Sequence, residues 1–142
     1  METLALYDIA KQQNIEVIQF PMNLNGSMSI MADSGACYIG MDPSVKDSAA
    51  EERVHLGHEL GHCITGSFYN RYSPYDCRQR HENKADKWAV KTLVPVSELD
   101  TAINEGLGEI WELADRFGVT EDFMKKAICY YVHGNLATTE YF

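Results

Sequence analysis

The residues best suited to chemistry in this 142-residue chain are His58, Glu59 and His62, which stand in the order His-Glu-Leu-Gly-His. On a helix, two residues four apart lie about 40° apart around the axis and about 6 Å apart along it, so both imidazoles can reach one ion. Glu59 is offset by one residue, and its longer side chain can approach a metal-bound water from beside the ligands without binding the metal. Zinc lowers the pKa of such a water towards ~7 and polarises a peptide carbonyl; the carboxylate takes the proton as the water attacks, then passes it to the leaving amine. The pattern points to metal-dependent peptide hydrolysis. The bland alternative is an exposed helix face with two unrelated histidines. It is weakened because the motif sits inside an apolar-periodic run, where Gly57 and Gly61 leave room beside the ligands.

A catalytic zinc site wants a third protein ligand and keeps one position open for water. His81-Glu82 opens the next helical run, and Glu82 is the favoured ligand. The twenty residues from His62 let the loop turn the chain back, and Ala85, Trp88, Ala89 and Val90 can pack this helix against the first. His81 is the rival. An acidic residue that only stabilises a helix N-terminus is the ordinary alternative for Glu82.

These residues need a frame. Apolar residues recur at helical spacing from Thr3 to Gln13, which predicts an N-terminal helix ending near Asn14. Ile15 to Phe20, Ser27 to Ala32 and Ala36 to Met41 are β-prone runs separated by turns at Pro21 to Gly26 and Asp33-Ser34-Gly35, the last two forming a hairpin. The motif helix should start after Pro43, with Ser48 as cap and Glu51 three residues on, and stop at Gly66. Ser67 to Gln79, rich in Tyr, Arg, Ser and Pro, reads as a loop lining a cleft. Helices follow over about His81 to Val94, from a Ser97 cap to Glu105, over Glu109 to Phe117 and over Thr120 to Val132, and the tail from Gly134 reads as loose. The fold class expected is α+β: a small three-stranded sheet packed on the HExxH helix. One domain spans 1–142, with 1–95 a catalytic core and 96–142 a helical part.

His58-Glu59-Leu60-Gly61-His62, followed by Glu82-Asn83-Lys84-Ala85-Asp86-Lys87-Trp88-Ala89 and Leu93-Val94-Pro95, resembles the ImmA/IrrE family of metallo-endopeptidases. In that family an HExxH helix is followed by an E-x-x-A-(N/D)-x-(aromatic)-A helix ending in a hydrophobic-Pro step. The resemblance implies a zincin-like fold, with His58, His62 and Glu82 as metal ligands, Glu59 as the catalytic residue and Asp86 supporting a ligand histidine. It further implies a regulatory protease of a bacterium, phage or mobile element that cleaves a helix-turn-helix repressor. The Tyr-rich segment from Phe68 to Arg80 departs from the family pattern and bears on the shape of the cleft.

Other residues invite chemistry less directly. His55 lies one turn before His58, but three ligands in a row on one helix cannot surround an ion, so it reads as a supporting or packed residue. Tyr69, Tyr72 and Tyr75 can each donate to the oxyanion of a tetrahedral intermediate, as can His81, and loop packing is the commoner role of such tyrosines. Cys37, Cys63, Cys77 and Cys129 form no CxxC pair and no dense pattern, which speaks against a disulfide scaffold or a four-cysteine zinc site. Cys63 reads as a small buried residue. With no basic start, no apolar run of signal length and no membrane-length stretch, the expected setting is a reducing cytoplasm.

The run from Ile110 to Ile128 looks like a helix-turn-helix, the main rival from another class. Its second helix would begin Thr120-Glu121-Asp122, presenting two carboxylates where base edges and phosphates are met. Twelve basic against twenty-one acidic side chains, a formal charge of −9, also make nucleic acid an unlikely partner. A non-hydrolytic metal sensor or scaffold of the same fold is the second alternative. Two histidines and one glutamate accept zinc, and also manganese, iron or cobalt.

Overall fold

Burial alternates along Cys37–Met41, with Cys37, Ile39 and Met41 inward and Tyr38 and Gly40 outward, as the pleat of a strand covered on one face requires. In the computed structural model, which describes residues 2–21, 26–70 and 72–142, this strand (β3) is the centre of a three-stranded mixed sheet. β1 (Glu16–Gln19) runs parallel to it with Val17 opposite Ile39. β2 (Ser27–Met31) runs antiparallel with Ser29 opposite Ile39. The order β1-β3-β2 leaves β1 and β2 as edges. The expected hairpin of the last two strands is present; of the turn expected at Pro21 to Gly26, residues 22–25 lie outside the described ones.

The described residues form six α-helices: α1 (Thr3–Gln12), α2 (Ala49–Thr65), α3 (Tyr75–Leu93), α4 (Val96–Asn104), α5 (Ile110–Phe117) and α6 (Glu121–His133). The fold is α+β, as expected. α2 begins where Ser48 accepts the Glu51 backbone N–H at 3.3 Å and ends at left-handed Gly66. Thr120 caps α6 in the same way, through the Phe123 N–H at 3.2 Å.

Three expectations need correction. α3 starts at Tyr75, not at His81, because its first two turns are largely solvated and carry no apolar period to read. Pro95 takes the cap position of α4, ahead of Ser97. The tail is held, not loose: a 3₁₀ turn covers Thr138–Glu140, and the Tyr141 ring stacks on His133 at a 3.6 Å centroid distance.

The core runs across residue 95. Leu56 and Leu60 of α2, Ile39 and Met41 of β3, Leu93 of α3, and Leu113, Phe117, Phe123 and Met124 of α5 and α6 belong to one buried cluster. Two polar ties support it: Arg53 Nη1 donates to the Phe117 carbonyl at 2.7 Å, and the Tyr131 hydroxyl donates to the Val94 carbonyl at 2.7 Å.

What positions the site is the contact of α2 with α3. A Cβ on Gly61 would stand 2.4 Å from the Ala85 carbonyl oxygen, and one on Gly57 would stand 2.8 Å from Leu93 Cδ1. The two glycines, one helical turn apart, therefore let the helix backbones touch, which brings the residues flanking Ala85 against the motif. Read from sequence as room beside the ligands, the space is filled by α3.

Candidate metal centre

α2 presents His58 and His62 one turn apart, and α3 presents Glu82 across from them. Among the described residues these three form a cluster whose ligand atoms all lie within 4.8 Å of one another. The His58 and His62 Nε2 atoms are 3.2 Å apart, and they stand 2.9 Å from Glu82 Oε2 and 3.2 Å from Oε1 respectively.

The opposite ring nitrogens are engaged. His58 Nδ1 lies 2.7 Å from Asp86 Oδ1, and His62 Nδ1 meets the Ser67 carbonyl of a residue that is almost wholly buried. A carboxylate and a carbonyl only accept, so both histidines carry their proton on Nδ1. Both Nε2 lone pairs then converge with the Glu82 oxygens on one point. Such an arrangement of acceptors fits a cation.

The electrostatics say the same of the metal-free site. Burial works against a charge on His58, but the hydrogen bonds to Asp86 and Glu82 outweigh it and raise its pKa to about 10. His62 is likewise raised: burial opposes the charge, and Glu82 and the Ser67 carbonyl overcome it. Burial also opposes the charge of Glu82, yet its bonds to His58, His62 and Tyr69 hold it well below the usual carboxylate range. A proton thus takes the central place that a metal ion would fill.

Asp86 is buried, and against that burial His58 and Lys126 keep its pKa low; Lys126 Nζ of α6 is 3.2 Å from Oδ2. Glu59, 6% exposed, accepts from Ser27 Oγ at 2.8 Å and lines the same cleft of about 520 Å³. The tyrosines are now distinguishable. Tyr69 lines the cleft and donates to Glu82 Oε1 at 2.6 Å, a bond that, with burial, pushes its pKa up to about 12. Tyr72 and Tyr75 are 79% and 75% exposed. The rival ligand His81 stays outside the cluster, its ring stacked on Tyr69 at 6.4 Å and its buried Nδ1 without a hydrogen-bond partner among the described residues.

Three residues of this site escaped the sequence reading. Ser27 comes from a strand, while Phe123 and Lys126 come from the helix that looked like the second of a helix-turn-helix. No local signal marks them, since Ser27 and Glu59 are 32 residues apart and Lys126 and Asp86 are 40. Cys63 is also more than a small buried residue: it forms a disulfide with Cys37, tying α2 to β3 next to His62. That leaves Cys77 and Cys129 free.

Among known families, the model described as Peptidase_M78, IrrE N-terminal-like domain, matches residues 10–128. That span takes in the sheet, the three clustered residues, Glu59 and most of α6. The search of curated proteins found no match.

Proposed function

The chain belongs to the IrrE N-terminal-like peptidase family, and from that premise we propose that it is a zinc-dependent metallo-endopeptidase acting on a specific protein. The observation that carries the proposal is the convergence of His58 Nε2, His62 Nε2 and the Glu82 carboxylate within 4.8 Å of one another, beside a buried Glu59. Two imidazoles and one carboxylate, with their far ring nitrogens fixed by Asp86 and Ser67, are a donor set that zinc takes and that manganese, iron or cobalt also accept.

When bound, such an ion makes a water acidic near neutral pH and polarises a carbonyl. The chain's own groups then do the rest. Glu59 accepts the proton of the attacking water and returns it to the departing amine. Tyr69, on turning its one hydroxyl proton from Glu82 Oε1 to the oxygen that gains charge at the scissile carbon, supplies a contact worth about 3 kcal/mol in sites of this type. Among the described residues β2 is an edge strand of the sheet, and its Ser27, Met28 and Ser29 line the cleft. An extended peptide can therefore add to that edge through its main chain and pass the site without ending there, which favours an endopeptidase. The likeness to ImmA/IrrE proteases extends the reading to a helix-turn-helix repressor of a phage or mobile element as the substrate.

Metal content by mass spectrometry, followed by incubation with a candidate repressor and a proteome-derived peptide mixture, tests this. About one zinc per chain is expected in the parent, with little in His62→Ala and Glu82→Ala. Cleavage is expected in the parent and none in Glu59→Gln, which should keep its metal. Failure to take up any divalent metal sinks the reading. Stoichiometric metal without Glu59-dependent cleavage moves it to a non-hydrolytic sensor. Cleavage of peptides with the repressor left intact removes the repressor alone.

A further inference from the structure

Glu59 has to hold a carboxylate at one orientation on a side chain with three rotatable bonds, and its partner comes from outside its own helix. Ser27 Oγ donates to Glu59 Oε2 at 2.8 Å, and the same hydroxyl lies 2.7 Å from His55 Nδ1. An ionised carboxylate only accepts and a hydroxyl has one proton. The directions are therefore fixed: His55 Nδ1–H donates to Ser27, and Ser27 donates to Glu59. On the other edge of the ring Nε2 lies 3.4 Å from Glu51 Oε2 one turn back on α2, longer than the roughly 2.7–3.2 Å of an N–H···O bond and so no rival for the Nδ1 proton.

The backbone is built for this meeting. Gly26 has φ +74°, and its carbonyl accepts the Asp42 N–H at 2.7 Å. A Cβ there would lie 2.9 Å from Val45 Cγ2 and 3.1 Å from His55 Cε1. The strand thus enters directly against the His55 ring, and Ser27, 7% exposed, is delivered between two side chains of α2.

We propose that Ser27 and His55 are positioning residues for the general base: the hydroxyl clamps one oxygen of Glu59 and leaves the other to take the proton of the attacking water, while His55 sets the hydroxyl's direction. The inference rests on the peptidase reading and adds to it two residues whose side chains act through Glu59. It also gives His55 a role on a helix face where it cannot serve as a ligand.

The test uses the full, metal-loaded chain and one synthetic peptide, the fastest cut in a proteome-derived mixture. Ser27→Ala and His55→Ala should lower kcat about 10- to 100-fold, the size of effect a misplaced catalytic group produces, with KM and metal content unchanged. Ser27→Thr, which keeps the hydroxyl, should restore most of the rate. Independently of turnover, nitrogen NMR of histidine-labelled protein should find the His55 proton on Nδ1, and Ser27→Ala should shift it towards Nε2. A folded Ser27→Ala or His55→Ala that keeps kcat within about twofold of the parent overturns the proposal and leaves the peptidase reading standing. So does a parent His55 protonated only on Nε2. A parent that cuts no peptide removes the peptidase reading, and this proposal with it.

Discussion

At the scale of single residues, the site is a set of acceptors that must be filled by a proton or by a metal ion, and this makes its pH dependence a test. His58 has its folded-state pKa raised from its ordinary 6.5 to about 10. Its contribution to stability is then fully present below about 6.5 and is lost as pH rises through about 10. Glu82 and Asp86 are depressed, so their contributions are present above the ordinary carboxylate range and fade only in stronger acid. Metal-free protein should therefore melt at its highest temperature near pH 6 and progressively lower towards pH 10, with a weaker slope in His58→Ala. Thermal melts across that range, with a chelator present, check it. Zinc affinity should run the other way and rise with pH, because the ion displaces those protons. At this scale much was legible in the sequence: His58 and His62, like Glu82 and Asp86, are four apart on one helix, and helical periodicity is local information. Ser27 and Lys126 were not, because each becomes relevant only through a partner more than thirty residues away.

At the scale of elements, the decisive contact is α2 on α3. Gly61→Ala places a methyl 2.4 Å from a backbone oxygen, where no flexible side chain can give way. The helices must separate, at a cost of about 1–3 kcal/mol for overpacking of this kind. Glu82 and Asp86 should move away from the histidines together, so zinc affinity should fall along with the melting temperature. Gly108→Ala, with nothing near its would-be Cβ, is the control that should change neither. The disulfide makes a second prediction. Cys37 and Cys63 close a loop of 26 residues, and its reduction should lower stability by about 3 kcal/mol, seen as a lower denaturation midpoint. Alkylation of denatured protein should find two thiols before reduction and four after. The pairing also sets a bond kept by oxidising conditions against the reducing setting the cysteine spacing suggested. Thiol counts on acid-quenched cells decide which state the protein holds in place. Start and stop signals made α2 legible, from Ser48 to Gly66. The start of α3 was hidden because Tyr75 to Arg80, none of them buried, offer neither an apolar stripe nor a side-chain cap.

At the scale of the whole molecule, the C-terminal helices belong to the site. Phe123 and Lys126 of α6 line the cleft, and Lys126 holds Asp86, which in turn holds His58. Phe123 and Lys126 of the would-be DNA-reading helix are thus turned towards the candidate metal centre. Among the described residues no helix is long and apolar enough to cross a membrane. The sequence pattern placed these helices correctly but could not tell docking from packing, since two amphipathic helices joined at a glycine have the same spacing in both. Truncation separates the possibilities. A chain ending at residue 105 loses Leu113, Phe117, Phe123 and Met124 from the core, each worth roughly 2 kcal/mol on burial. Their sum of about 8 kcal/mol is comparable to the whole stability of a domain, about 5–15 kcal/mol. It also strips Asp86 of Lys126 and Arg53 of the Phe117 carbonyl. The truncated chain should therefore show no cooperative unfolding transition and bind no stoichiometric zinc. If residues 1–105 instead melt cooperatively and hold one zinc, α5 and α6 form a separable module, and the part they play in the cleft has to be found elsewhere.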